Sequence, residues 1–197
     1  SSLWIFFYYC NFILQCAEEK KSPMEIIQKF PEMGLRIKNL EEIQSLCMEE
    51  EALKERNIEV IYIFGAEGAP KFESILKKHS PIEICRISHY PQNNSVRFDS
   101  YMGQDVIVFD LYNSQIQLDA FLGYLSPYKT HLPARFRDRW ALFHTVYILS
   151  SYPLEELYKM EQMHSWDLWQ AFLRRINHVY FCKMDGTLEE IPLNAIV

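Results

Sequence analysis

Apolar residues follow two different periods along the chain, and the change falls near residue 58. Before that point, apolar positions recur every three or four residues among charged ones, which is typical of helices that bury one face. After it, five short runs rich in β-branched and aromatic residues predict strands. These runs are 59–64, 83–87, 105–109, 145–149 and 178–182.

The stretches between the five predicted strands are long enough for crossover connections. Such an alternation predicts an α/β fold with a mainly parallel sheet and helices on its faces. The runs 105–109 and 145–149 are apolar almost throughout, as in central strands buried on both faces. A turn at 184–186 followed by the run 187–191 predicts a terminal hairpin.

The chain begins with a segment of different character, 1–57, which precedes the α/β domain expected at 58–197. Pro23 begins a predicted helix, and Asn39 can cap a second one. The opening run 3–17 is strongly apolar but shorter than the ~20 residues that span a bilayer. It favours a buried or partner-covered segment, with membrane or signal-like behaviour as the alternative.

Charge and cysteine content narrow the possible functions. The 197 residues carry a formal net charge of −6, so any contact with nucleic acid must come from a local basic patch. The five cysteines are scattered and never form a CxxC pair. We therefore expect reduced thiols in a cytoplasmic protein, with neither a zinc site nor a disulfide framework.

The loop after the first predicted strand, GAEGAPKF, has part of the phosphate-binding pattern GxxxxGK[ST]. Gly65 and Lys71 are in register, and Gly68 adds a flexible point. Pro70 removes an N–H donor, and Phe72 replaces the hydroxyl that binds Mg²⁺. We expect Lys71 at the amino end of a helix after a parallel strand. An ordinary turn with an exposed lysine is the alternative.

Asp110 ends the apolar run VIVFD and is a candidate ligand of Mg²⁺ or of its bound water. In an active NTPase a following Glu usually serves as the base that activates the attacking water. Leu111 stands there instead, so the base is missing. An aspartate that caps the next turn is the alternative.

Polar residues also end a strand and a helix farther along. Ser150 and Ser151 follow the fourth predicted strand, where a hydroxyl can face a γ-phosphate or simply start a turn. Arg174 and Arg175 end the helix predicted after Ser165. They can complement the helix dipole, or they can project to a neighbouring subunit's phosphate.

A basic and aromatic segment, YKTHLPARFRDRW, lies between these positions. Its cations are Lys129, Arg135, Arg137 and Arg139, and the three arginines would point to one side of a strand. Such an edge, interleaved with rings, suits backbone phosphates and base stacking. Pairing of the arginines with the surplus acids is the alternative.

The order of these segments resembles one family. FGAEGAPK, FDSYMGQDVIVFD, FLGYLSPY, LPARF, VYILSSYPLEELY and AFLRRI resemble the superfamily-3 helicase domain of rolling-circle replication initiator (Rep) proteins, from bacterial plasmids and circular single-stranded DNA viruses. The resemblance covers about residues 58–182. It implies an AAA+-like P-loop NTPase fold that uses ATP and Mg²⁺, binds single-stranded DNA or RNA, and assembles into a homo-oligomeric ring when active.

The resemblance also implies roles for individual residues. By this resemblance, Gly65 and Lys71 fall on the Walker A loop and Asp110 falls on the Walker B acid, with Leu111 at the position of its acidic partner. Ser151 falls on the sensor asparagine, and the stretch Arg135–Arg139 falls on the segment leading to the DNA-contacting hairpin. Arg174 or Arg175 falls where the arginine finger is expected. We expect the family's nuclease to be supplied by another domain or protein.

The departures from the family pattern, Pro70, Phe72, Leu111 and Ser151, all fall at catalytic positions. Loss of a general base alone typically costs about 10²–10⁴ in rate. The sequence therefore predicts a Rep-type DNA helicase and ATPase domain with impaired hydrolysis. The alternative is a non-catalytic nucleic-acid-binding or assembly module derived from that domain, and a membrane role is a third, less favoured hypothesis.

Overall fold

The beginning of the chain is helical, as the sequence predicts. The computed structural model describes residues 2–19, 21, 23–91, 96–135 and 139–195. Ile13, Cys16 and Ile26 form a small buried cluster between the first two helices. The segment comprises α1 (Ser2–Glu18), α2 (Pro23–Lys29), a 3-10 helix (Pro31–Arg36) and α3 (Ile37–Ala52).

Two expectations for this segment have different outcomes. Asn39 lies inside α3 and does not cap it, because the helix continues directly from the preceding 3-10 helix. The run 3–17 forms most of α1, which packs against α3 and leaves Phe7, Tyr8 and Leu14 exposed. In the part of the chain that the structure describes, no helix is both long and apolar enough to cross a membrane.

A six-stranded sheet occupies the rest of the chain. Its strands are β1 (Glu59–Phe64), β2 (Ile84–Ile87), β3 (Val106–Phe109), β6 (Thr145–Ser150), β7 (His178–Cys182) and β8 (Leu188–Glu190), and a separate pair is β4 (His131–Leu132) with β5 (Arg139–Trp140). The strand order in the sheet is β2-β3-β6-β1-β7-β8, in which the first five strands are parallel and the last is antiparallel. The five predicted strands and the terminal hairpin are confirmed, with strand ends within one residue.

The central strands are buried on both faces, so each contributes to two cores. Val60 and Tyr62 of β1 belong to the larger core, whereas Ile61 and Ile63 belong to the smaller one. Strands β3 and β6 alternate in the same way, as the period of two requires. Helices α5 (Leu118–Tyr124) and α7 (Trp166–Leu173) contribute to the larger core, and α4 (Lys71–Leu76) contributes to the smaller one. Helix α6 (Lys159–His164) packs against α7.

Arg56 connects the helical segment to the sheet domain. It is buried and donates to the carbonyl oxygens of Phe143 at 2.9 Å and Ser126 at 2.7 Å. Its guanidinium also lies 4.8 Å from the centre of the Phe143 ring. Burial lowers the pKa of this guanidinium from its ordinary value. The charge remains buried because these carbonyl groups and the ring partly replace water.

The parallel strands direct their carboxyl ends to one edge of the sheet. Phe64 pairs with Ser150, and Phe109 pairs with Ile148. The loops that follow β1, β6 and β3 therefore lie side by side, and we call them the carboxyl edge. This edge carries Lys71, Asp110, Ser150 and Ser151.

Candidate functional site

Lys71 is the first residue of α4, directly after the loop that follows β1, so the predicted placement is confirmed. The alternative of an exposed lysine is wrong, because the residue retains only 9% exposure. The ammonium group donates to the carbonyl oxygens of Gly65 and Ala66, each at 3.0 Å. The loop's own backbone therefore solvates the lysine charge.

The backbone N–H groups of this loop are also used internally. The Ala69 N–H donates to the Ala66 carbonyl at 3.1 Å, closing a turn in which Gly68 has φ 86°, a value that glycine adopts without strain. Pro70, at φ −80° and ψ 61°, forms an inverse γ-turn in which the Lys71 N–H donates to the Ala69 carbonyl at 2.8 Å. In this conformation these two N–H groups do not face a phosphate.

Gly65 has a packing reason to be glycine. A Cβ atom at this position would lie 2.4 Å from the carbonyl oxygen of Cys182, at the end of the neighbouring strand β7. That separation is far below van der Waals contact, so any side chain would displace the strand. The close approach of β7 accounts for Gly65 whether or not the loop holds a phosphate.

Asp110 follows β3 and is 5% exposed. One carboxylate oxygen, Oδ2, accepts from Arg86 Nε at 2.8 Å and from Arg86 Nη2. The other, Oδ1, accepts from the N–H of the next residue, Leu111, at 2.8 Å. Charge-assisted contacts of this kind are stronger than neutral ones. Both oxygens of the predicted metal ligand thus have partners within the chain.

Hydrogen bonds also hold the backbone around Asp110. Its N–H donates to the Ile87 carbonyl of β2, and its carbonyl accepts from the Tyr90 hydroxyl, both at 2.7 Å. Burial, with a smaller contribution from the Asp110 charge, raises the pKa of the Tyr90 phenol. Tyr90 therefore remains a protonated donor, and the position of Asp110 is set from several sides.

Arg86 was missed by the sequence reasoning. It lies on β2, between the buried residues Cys85 and Ile87, and its side chain is 46% exposed. Its guanidinium carbon lies 4.1 Å from the centre of the Phe72 ring, so the same group contacts Phe72 and Asp110. An arginine inside an otherwise apolar strand was the available signal. Its partner could not be identified without the strand order.

Ser151 lies at the carboxyl edge but outside the strand. β6 ends at Ser150, which is buried and whose Oγ accepts from the Tyr152 N–H at 3.0 Å. The Ser150 carbonyl accepts from the Gly65 N–H at 3.3 Å, which brings the end of β6 against the loop after β1. Ser151 itself is exposed in the bend that follows.

Arg174 and Arg175 lie at the opposite edge of the sheet. They follow α7 and precede β7, and the next polar residue, Asn177, exchanges two 2.8 Å hydrogen bonds with the backbone of Val60 near the start of β1. Arg175 lines a cleft of about 460 Å³ together with Arg56. Within one chain the two arginines therefore do not join Lys71 and Asp110.

The cations of the basic segment are partly paired. Lys129 contacts the Glu49 carboxylate at 2.7 Å and lies 4.1 Å from the centre of the Trp140 ring. The Arg135 side chain lies 4.0 Å from the Asp99 carboxylate, which also accepts from the Arg135 N–H. The alternative of internal pairing with acids therefore holds for Lys129 and Arg135. Both pairs are partly exposed to solvent, so each contributes little to stability.

The expected row of arginines along one strand is wrong at Arg135, which lies in a bend before the short strand β5. β4 ends at Leu132, before Pro133, and among the described residues each strand of the pair contributes two paired residues. Arg139 does lie on β5, and its buried Nε has no hydrogen-bond partner among the described residues. Arg137 falls outside the residues that the structure describes.

The groups at the carboxyl edge do not fit Mg²⁺ as they stand. Asp110 is bound by Arg86, and position 72 offers an aromatic ring where a hydroxyl is needed. The described ranges contain no group of three or more His, Cys, Asp or Glu side chains arranged to hold a metal. The loop does not fit the triphosphate of ATP either, because Lys71 and two loop N–H groups are bound to carbonyl oxygens.

Comparison of the chain with protein-family models and with curated proteins finds no match. The candidate site is therefore interpreted from its geometry, together with the resemblance of the sequence segments.

Leu111 has a left-handed backbone conformation, φ 53°, and the residue is 66% exposed. That conformation costs an L-residue roughly 1–2 kcal/mol, and part of any gain from glycine is lost to unfolded-chain entropy. We expect Leu111→Gly to raise the free energy of unfolding by about 0.5–1 kcal/mol in urea denaturation. Leu111→Ala, which removes the exposed side chain but keeps the strain, is the control and should show no gain. Equal stability of the two variants would contradict the strain.

Proposed function

We propose that this chain is a Rep-type superfamily-3 helicase domain with the P-loop NTPase fold, in which ATP hydrolysis is impaired. The observation that carries the proposal is the convergence at one sheet edge. Lys71 begins a helix after β1, Asp110 follows β3, and Ser151 follows β6, the strand between them. The resemblance implies a phosphate-binding lysine, an acid and a polar sensor in one site, and the positions of Lys71, Asp110 and Ser151 after three adjacent strands support it.

The impairment follows from the contacts of the two charged residues. ATP would have to displace two carbonyl oxygens from Lys71, and Mg²⁺ would have to displace a guanidinium from Asp110. Leu111 provides no base for the attacking water in any conformation. Displacement of these contacts weakens the binding of ATP and Mg²⁺, and the missing base slows hydrolysis, so both effects lower kcat/KM.

A non-catalytic nucleic-acid-binding module is the second candidate, and the β4–β5 hairpin favours it. His131 and Trp140 face each other across the pair with ring centres 3.8 Å apart, and Lys129 lies against the same indole. Trp140 itself is buried, so the exposed His131 and Lys129 are the groups of this hairpin that could contact single-stranded DNA or RNA, which needs no hydrolysis. Assembly into a ring would be compatible with Arg174 and Arg175, since they lie where only a neighbouring subunit's site could receive them.

We expect ATP turnover at least about two orders of magnitude below that of an intact relative, because no general base follows Asp110. The combined variant Pro70→Gly, Phe72→Thr and Leu111→Glu should raise turnover, measured as phosphate release from the purified chain. The same variant carrying Asp110→Asn is the control and should remain inactive. An unmodified chain that hydrolyses ATP at about 1 s⁻¹ or faster would overturn the proposed impairment.

Binding of single-stranded DNA should depend on the hairpin arginines. Replacing Arg135, Arg137 and Arg139 with Ala should weaken binding and lower the slope of log K against log salt by roughly 0.7 for each lost phosphate contact. Fluorescence anisotropy at several salt concentrations measures both quantities.

A charge-matched variant, with the exposed residues Lys54, Lys77 and Lys78 replaced by Ala, controls for the loss of three positive charges. It should retain most of the affinity. If the arginine variant loses thermal stability while its DNA affinity stays unchanged, the arginines serve internal pairing, and the binding-module hypothesis fails.

A further inference from the structure

Two residues at the carboxyl edge, Phe72 and Asp110, contact the same third residue. Phe72 stands where the resemblance places the Mg²⁺-binding hydroxyl, and Asp110 stands where it places the Mg²⁺-binding acid. Arg86 reaches from the adjacent strand and contacts both, at 4.1 Å from the ring centre and 2.8 Å from the carboxylate. A positively charged group of the chain itself therefore occupies the space between the two positions that would hold the metal.

We propose that the guanidinium of Arg86 replaces the divalent cation of this site as the permanent counter-ion of Asp110, so that the carboxyl edge is metal-independent. The assignment of Asp110 and Phe72 to former metal-binding positions rests on the proposed function. The counter-ion role itself rests only on the contacts of Arg86.

The replacement accounts for the aromatic residue at position 72. A phenyl ring cannot coordinate Mg²⁺, which binds oxygen ligands. The face of the ring does attract a guanidinium, which is planar and weakly hydrated and so stacks well. Phe72 packs partly against the smaller core and offers that face to Arg86. The ring therefore suits the cation that is present and not the one that the resemblance implies.

The buried carboxylate makes a counter-ion necessary. Asp110 is almost completely shielded from water, and Arg86 is its ion-pair partner. The loop cation Lys71 is bound to the carbonyl oxygens of Gly65 and Ala66. A buried charge whose partner is removed is strongly destabilising. Loss of Arg86 should therefore make the chain respond to an added divalent cation.

The experiment compares the thermal stability of the full chain with and without MnCl₂ at about 10 mM, against NaCl of equal ionic strength. We expect Arg86→Met to lower Tm and Mn²⁺ to raise the Tm of that variant by about 3 °C, as for a site with a Kd near 1 mM. The wild-type chain should show no Mn²⁺ response. Asp110→Asn in the Arg86→Met background should abolish the response.

Arg97→Met is the matched control, because Arg97 is exposed between two buried residues of a loop. It should show neither the drop in Tm nor the Mn²⁺ response. If Arg86→Met does not fold, Arg86→Gln, which removes the charge but keeps a polar side chain, is measured in the same way. A folded Arg86 variant without a Mn²⁺ response would overturn the counter-ion role.

A direct measurement on the wild-type chain is independent of any variant's folding. Electron paramagnetic resonance measures free Mn²⁺ and hence the amount that the protein binds. The wild-type chain and Asp110→Asn should bind the same amount. Asp110-dependent Mn²⁺ binding by the wild type would overturn the inference. Neither assay contains ATP or DNA, so a failure of the helicase proposal would appear in the turnover and DNA-binding assays and leave these results unchanged.

Discussion

Burial of the parallel strands on both faces is the constraint on which the rest of the structure depends. β1, β3 and β6 contribute apolar side chains to both cores, so polar side chains on these strands are confined largely to their ends. Parallel direction then brings the ends together at one edge. Lys71 and Asp110 lie at the same edge for this reason, although 38 residues separate them in the sequence.

The two charged residues of this edge share one physical solution. Each lies in a position that water hardly reaches, and each is satisfied by the chain: Lys71 by two carbonyl oxygens, and Asp110 by Arg86. Charges in such positions must have partners. In an active NTPase the nucleotide and its metal are among the partners of these charges. Here the edge is electrostatically complete without either, and under the proposed function this lets the two charges remain buried without the catalytic pattern.

Much of the fold could be predicted, because strand burial leaves a direct signal in the sequence. The apolar runs marked five strands, and the loop pattern located the start of α4 at Lys71. The counter-ion could not be predicted in the same way, since Arg86 and Asp110 are adjacent only through the strand order. The conformation of Pro70, and hence the direction of the Lys71 N–H, also depends on the loop's tertiary context. The arginines of the basic segment illustrate a third limit, because an alternating pattern does not show where a strand ends: β4 stops at Leu132, before Arg135.

The central claim, that the carboxyl edge is satisfied by its own groups, is tested most directly by equilibrium dialysis of radiolabelled ATP against the purified chain, with and without Mg²⁺. Active enzymes typically have KM values between about 1 μM and 1 mM. The account predicts no saturable binding up to about 1 mM ATP and no effect of Mg²⁺ on what little is bound. Saturable, Mg²⁺-dependent binding in the micromolar range would contradict it, since ATP would then displace the contacts of Lys71 and Asp110 at little cost.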